Sequence, residues 1–151
     1  MPPLDTDLLA ELIHDKRECL LQLRDMGRRQ MELIDEGNMT SLLDVLMVKQ
    51  RSLEKLQQIE RALDPFRDQD PDRRRWRTGE DRRLCTEQLR QCERLLAEII
   101  SQEKCSEGAL LRRRDEAASR LQDAHLAGQA RQAYIAQPPR QTEQIDLYSI
   151  T

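Results

Sequence analysis

The side chains best suited to chemistry in this chain are four cysteines (Cys19, Cys85, Cys92, Cys105) and two histidines (His14, His125). Their spacing argues against a shared site. Cys85 and Cys92 are seven residues apart, which on a helix places them two turns apart on one face. Zinc ligands instead come in pairs spaced by two to four residues, so the two thiols read as small core residues. The histidines lie in different segments, and neither sits in a cysteine or carboxylate pattern of metal-ligand spacing; His14 reads as a helix-surface residue. No glycine-rich phosphate loop or nucleophile elbow occurs. No catalytic residue, metal or cofactor is therefore expected, and an enzyme is the class the sequence supports least.

The sharpest charged motif is Arg73-Arg74-Arg75-Trp76-Arg77. Arginines on phosphates with a ring stacked on a base would make a single-strand nucleic-acid site. Asp68, Asp70, Asp72, Glu80 and Asp81 surround the motif, however, and the chain carries a net charge of −3. With no global positive field, nucleic acid is not the expected partner. The motif reads better as an inter-helix loop with Trp76 folded onto the end of a bundle. A nucleic-acid-associated adaptor is kept as a third alternative.

The elements that position these residues follow from a seven-residue apolar repeat. Leu12, Cys19, Met26 and Leu33 form one column, and Ile13, Leu20, Gly27 and Ile34 the column beside it. After Gly37-Asn38, the steps of three and four continue through Met39, Leu42, Leu46, Lys49, Leu53, Leu56, Glu60 and Leu63. Such spacing lays an oily stripe along each of two long helices. Helix one is expected over about 6–36 with Asp5 or Thr6 as cap, and helix two over about 39–63. Gly37 supplies a left-handed stop and Asn38 the next cap. Asp64-Pro65 ends helix two, because proline disfavours helix in the residue before it. The short connection makes the pair antiparallel.

Residues 64–78 read as a loop that holds Phe66 and Trp76. Thr78 then caps a third helix over about 79–133, with a stripe of Cys85, Leu89, Cys92, Leu96 and Ile99 flanked by Leu95 and Ile100. The fold class is all-α: an antiparallel, coiled-coil-like bundle of three long helices in one domain, 1–136, followed by a flexible tail, 137–151. The composition agrees, with 35% charged residues and only five glycines and six prolines. Within the seam, Leu46→Ala or Leu53→Ala is expected to cost on the order of 2–5 kcal/mol.

The third helix outruns the other two. At about 1.5 Å per residue the three span roughly 46, 38 and 82 Å, so the part beyond about Glu107 has no partner of matching length. It must fold back near Gly108, as a further helical segment, or project. The weak stripe there, Leu110, Leu121, Ala124 and Leu126, with the anchors Tyr134, Ile135 and Tyr148, forms the candidate protein-binding surface. Aromatic anchors bury much area at low entropic cost. The same stripe could be covered by a second copy of the chain, giving a homodimer or a self-associating scaffold subunit.

The sequence shows no basic, apolar leader at Met1-Pro2-Pro3-Leu4-Asp5, and its longest apolar run, Val45 to Val48, is far too short to span a bilayer. A cytoplasmic location with free thiols is expected.

The hairpin resembles the FlgN-type flagellar export chaperones. The residues that carry the likeness are Leu20-Leu21-Gln22-Leu23, Arg29 through Asn38 (RQMELIDEGN), Leu42-Leu43 and Lys49-Gln50-Arg51-Ser52-Leu53. The resemblance covers about Leu8 to Leu63. It implies a small cytoplasmic helical chaperone with a role in flagellum biogenesis. Such a protein binds the terminal amphipathic helices of hook–filament junction proteins and delivers these clients to the type III export apparatus.

Overall fold

The computed structural model of the chain describes residues 2–136. Three long helices dominate: α1 (Asp5–Glu36), α2 (Met39–Arg67) and α3 (Gly79–Ala136). A single 3₁₀ turn, Pro71–Arg73, lies in the α2–α3 loop, and no strand occurs among the described residues. The fold class read from the sequence is the one observed. By compactness the chain divides into two units, 1–110 and 111–151. The expected tail, 137–151, lies outside the described residues.

The helix ends follow local chemistry. Gly37 is left-handed (φ 71°), and the amides of Gly37 and Asn38 donate to the Ile34 and Leu33 carbonyls at 3.1 and 2.9 Å. This double closure satisfies the last carbonyls of α1. Asn38 Oδ1 then accepts from the Ser41 amide (3.2 Å), and Thr78 Oγ1 accepts from the Asp81 amide (3.1 Å). The start of α1 differs from expectation. Neither Asp5 nor Thr6 is its cap: Leu4 precedes the helix and donates its amide to Asp7 Oδ2 (3.0 Å). The Thr6 hydroxyl instead donates to the Arg75 carbonyl (2.6 Å), tying α1 to the loop.

The end of α2 lies beyond the one expected from the sequence. The helix does not stop at Leu63 but continues through Pro65 to Arg67. Proline costs a helix one hydrogen bond and crowds the turn before it. In the last turn that cost is offset by burying Phe66 in the core, where the loop assignment would have left it outside. Arg67 braces the turn by pairing with Glu60 and Asp64.

In the first unit α1 is the central helix. Both of its apolar columns are used, with Ile13, Cys19, Leu20, Gly27, Leu33 and Ile34 buried. Lys16 pairs with Glu60 of α2 (2.7 Å), and the Cys19 thiol donates to the Ser52 carbonyl (3.2 Å). On the other side Gln102 of α3 donates from Nε2 to the Arg24 carbonyl (3.1 Å), and Arg28 meets Glu98 (3.3 Å). The larger apolar cluster holds Leu9, Leu23, Ile59, Leu63, Phe66, Cys85, Cys92 and Ile99, with half-buried Trp76 packed against it. Trp76 thus folds onto the bundle, as expected. A smaller cluster holds Leu33, Ile34, Leu42 and Ala109.

The seam differs from the reading in one systematic way. Leu42, Lys49, Leu56 and Leu63 face inward as expected, but the companion column of α2 is one residue earlier: Ser52, Ile59 and Phe66 rather than Leu53 and Glu60. Leu53 is 36% exposed, so Leu53→Ala does not remove a core side chain. In α3 Leu95 is buried, whereas Leu96 and Ile100 are exposed. The same one-residue offset in both helices turns each toward the groove beside α1.

Candidate docking surface

The α3 backbone is helical without a break through Gly108 and Gly128 to Ala136, so no separate helical segment begins at Gly108. At 3.6 residues per turn, Leu110, Ala117, Leu121, Ala124, Gly128 and Ile135 fall within one narrow stripe. In sequence register it continues the stripe that buries Cys85, Cys92, Ile99 and Ser106. In the second unit the stripe is uncovered: Leu121 is 72% exposed, and Ala124 and Ile135 are exposed as well. Leu110 is half-buried at the end of the first unit.

Two expected residues do not share this stripe. Leu126 follows Leu121 by five residues, about 140° around the helix, and Tyr134 lies about 140° from Leu121 in the opposite sense. Both are exposed, Tyr134 at 74%. Within the second unit the geometry therefore puts Leu121, Ala124 and Ile135 on one face and sets Leu126 and Tyr134 on flanking faces. Tyr148 lies outside the described residues.

A second exposed apolar surface includes Met39, which the repeat assigns to the α2 stripe but which is exposed, and Leu43, Met47 and Val48, which the repeat leaves outside it. Met39, Leu43 and Met47 recur at every fourth residue on the outer face of α2, with Val48 beside them. The signal was available, because residues 42–48 are apolar almost all around the helix, a pattern that normally marks a buried helix.

Two of the loop arginines are held closely within the chain. Arg74 Nη2 donates to the Phe66 carbonyl (2.7 Å), and Arg77 grips both Asp7 carboxylate oxygens at 3.0 and 2.7 Å. The Arg77 hydrogen bond holds the Asp7 carboxyl below its ordinary pKa. Burial pushes the thiols of Cys19, Cys85 and Cys92 upward, which disfavours the reactive thiolate. Cys105 is exposed. Among the described residues no three potential metal ligands converge, and no helix is long and apolar enough to cross a membrane.

What this arrangement offers is shape and apolar area for a helix to lie against. Scans against protein-family models, curated proteins and solved structures found no match.

Proposed function

We propose that this chain is a cytoplasmic export chaperone of the FlgN type. It binds a terminal amphipathic helix of a hook–filament junction-type protein and delivers that client to the type III export apparatus. The observation that carries this reading is the uncovered stripe of α3, where Leu121, Ala124 and Ile135 lie exposed in the register used for core packing upstream. A helix-in-groove client would bury that stripe. The likeness of the hairpin between Leu8 and Leu63 supplies the client class. Co-expression with hook–filament junction proteins of the same organism, followed by affinity purification, tests it: a stable complex lost in Leu121→Asp supports the reading, and no complex with any of them overturns it.

A second reading, self-association as a scaffold subunit, is favoured by the exposed Met39, Leu43 and Met47 on α2. Light scattering over a concentration series separates the two. A scaffold grows in mass with concentration, whereas a chaperone without client stays constant.

A further inference from the structure

The loop after α2 and the first turn of α1 border a cavity of about 400 Å³ in the first unit. Leu4 and buried Phe66 form part of its wall, and Arg73, Arg74 and Arg75 line it together. The ion pairs of this region leave two of those arginines out. Arg67 pairs with Glu60 and Asp64, Arg73 with Asp70, and Arg77 with Asp7. Arg82 pairs with Asp72 and Arg83 with Glu80. Among the described residues Arg74 and Arg75 have no carboxylate partner. Arg74 is anchored at one edge, where Nη2 donates to the Phe66 carbonyl (2.7 Å), but its buried Nε has no acceptor. Arg75 is fixed by its backbone, whose carbonyl accepts from the Thr6 hydroxyl (2.6 Å), and its side chain is exposed.

Two carboxylates, Asp5 and Asp70, also line the cavity. Asp70 is already engaged, by Arg73 (3.7 Å) and by the Asp72 amide (3.0 Å). Three guanidiniums against two carboxylates leave one net positive charge.

We propose that this cavity is a binding site for an apolar monocarboxylate. The single carboxylate meets the Arg75 guanidinium beside Arg74, and the apolar body lies against Leu4 and Phe66.

Each part of the ligand follows from the lining. A guanidinium without a partner, next to one that is half satisfied, favours an oxyanion, and its planar fork matches a carboxylate at two points. One net charge is balanced by a monoanion, whereas a phosphate dianion would set surplus charge beside Asp5 and Asp70. The cavity is far larger than a bare carboxylate and falls among small-molecule sites, roughly 300–1,000 Å³, so an apolar body must fill the rest. A single-stranded nucleic acid fits less well, because Trp76 packs against the core and is not offered for stacking. Two sources carry the required chemistry: the C-terminal residue of a peptide and a free fatty acid. The site shares no residue with the stripe around Leu121.

The test titrates isotope-labelled full-length protein, followed by NMR, with octanoate, with acetyl-dileucine, and with the same dipeptide amidated. The arginine Nε–H signals and the amides of residues 4–6 and 66–75 should shift with the acids at millimolar concentration or below. Whichever acid binds more tightly names the source. The amidated dipeptide should bind at least about tenfold more weakly than its acid, and Arg75→Gln should weaken both acids as much. That substitution changes an exposed side chain with no partner, so the fold should survive it. Asp5→Asn removes the competing charge and should tighten binding about two- to fivefold. No shift with either acid, equal binding of acid and amide, full affinity in Arg75→Gln, or tighter binding of inorganic phosphate than of either acid would each overturn the proposal. None of these outcomes bears on the export-chaperone reading, which rests on residues beyond Leu110.

Discussion

Buried Lys49 of α2, which donates to Gln30 Oε1 of α1 and pairs with Glu103 of α3, gives an asymmetric prediction for two single substitutions at one ion pair. Lys49 is 6% exposed, whereas the Glu103 side chain is 46% exposed. Removing the acid in Glu103→Ala leaves a buried ammonium with Gln30 Oε1 as its remaining acceptor. Breaking a buried pair this way costs about 3–5 kcal/mol, and the access water has along the open Glu103 side lowers that to about 1.5–3 kcal/mol. Lys49→Met instead removes the desolvated charge and leaves Glu103 free to turn to solvent. Its losses, one hydrogen bond of about 1 kcal/mol, are roughly offset by the burial of an apolar side chain of similar length. Lys49→Met should therefore lie within about 1 kcal/mol of the parent. At about 4 °C per kcal/mol for a domain of this size, Glu103→Ala should melt about 6–12 °C lower by circular dichroism, with Lys49→Met nearly unmoved. The double variant should recover to the level of Lys49→Met, because the orphaned charge is gone. If Lys49→Met were as damaging as Glu103→Ala, or Glu103→Ala were silent, Lys49 would not be the buried, pair-dependent charge described.

The seam itself is tested by Leu20→Ala, fully buried against both neighbours, which should cost about 3–5 kcal/mol in urea melts, while Leu53→Ala should cost less than about 1 kcal/mol. Equal effects would restore the column one residue later. Because Arg77 holds the folded Asp7 carboxyl below its ordinary 3.8, its contribution is fully present above that value and is lost as pH falls through the lower folded one. Asp7→Asn should therefore flatten that part of the acid limb of stability, and an unchanged limb would deny the contact. Under native conditions an aromatic disulfide reagent should titrate Cys105 quickly and the three buried thiols only on unfolding. Four fast thiols would contradict the packing.

Much of this architecture is legible in the residues. The paired columns of α1 announce a helix with neighbours on two sides, and Gly37-Asn38 and Thr78 mark helix ends at the residues where they occur. What the repeat could not decide is which flank of each column turns inward. At Val45 and Leu46, or Leu95 and Leu96, both candidates are apolar, and the choice depends on where the third helix lies. The local rule for Pro65 puts Phe66 in the loop because it takes no account of the tertiary gain of burying the ring. At the candidate surface, Leu121 and Ala124 share a face by spacing alone, whereas Leu126 is set apart by the simple count of 3.6 residues per turn. Lys49 interrupted the stripe in the sequence, but its partners are 19 and 54 residues away along the chain, and only the fold brings them together.

In the proposed function the exposed stripe of α3 beyond Leu110 holds a client helix. That placement is tested most directly by titrating the full-length protein, and its Leu121→Asp variant, with a peptide of the terminal helix of a hook–filament junction protein from the same organism, followed by calorimetry. Because Leu121 is 72% exposed, the substitution should change stability by no more than about 0.5 kcal/mol. Affinity should nonetheless fall at least about tenfold, since a charge would be buried in an apolar contact. Equal affinity in the two proteins, with both folded, would show that the client does not lie on this stripe.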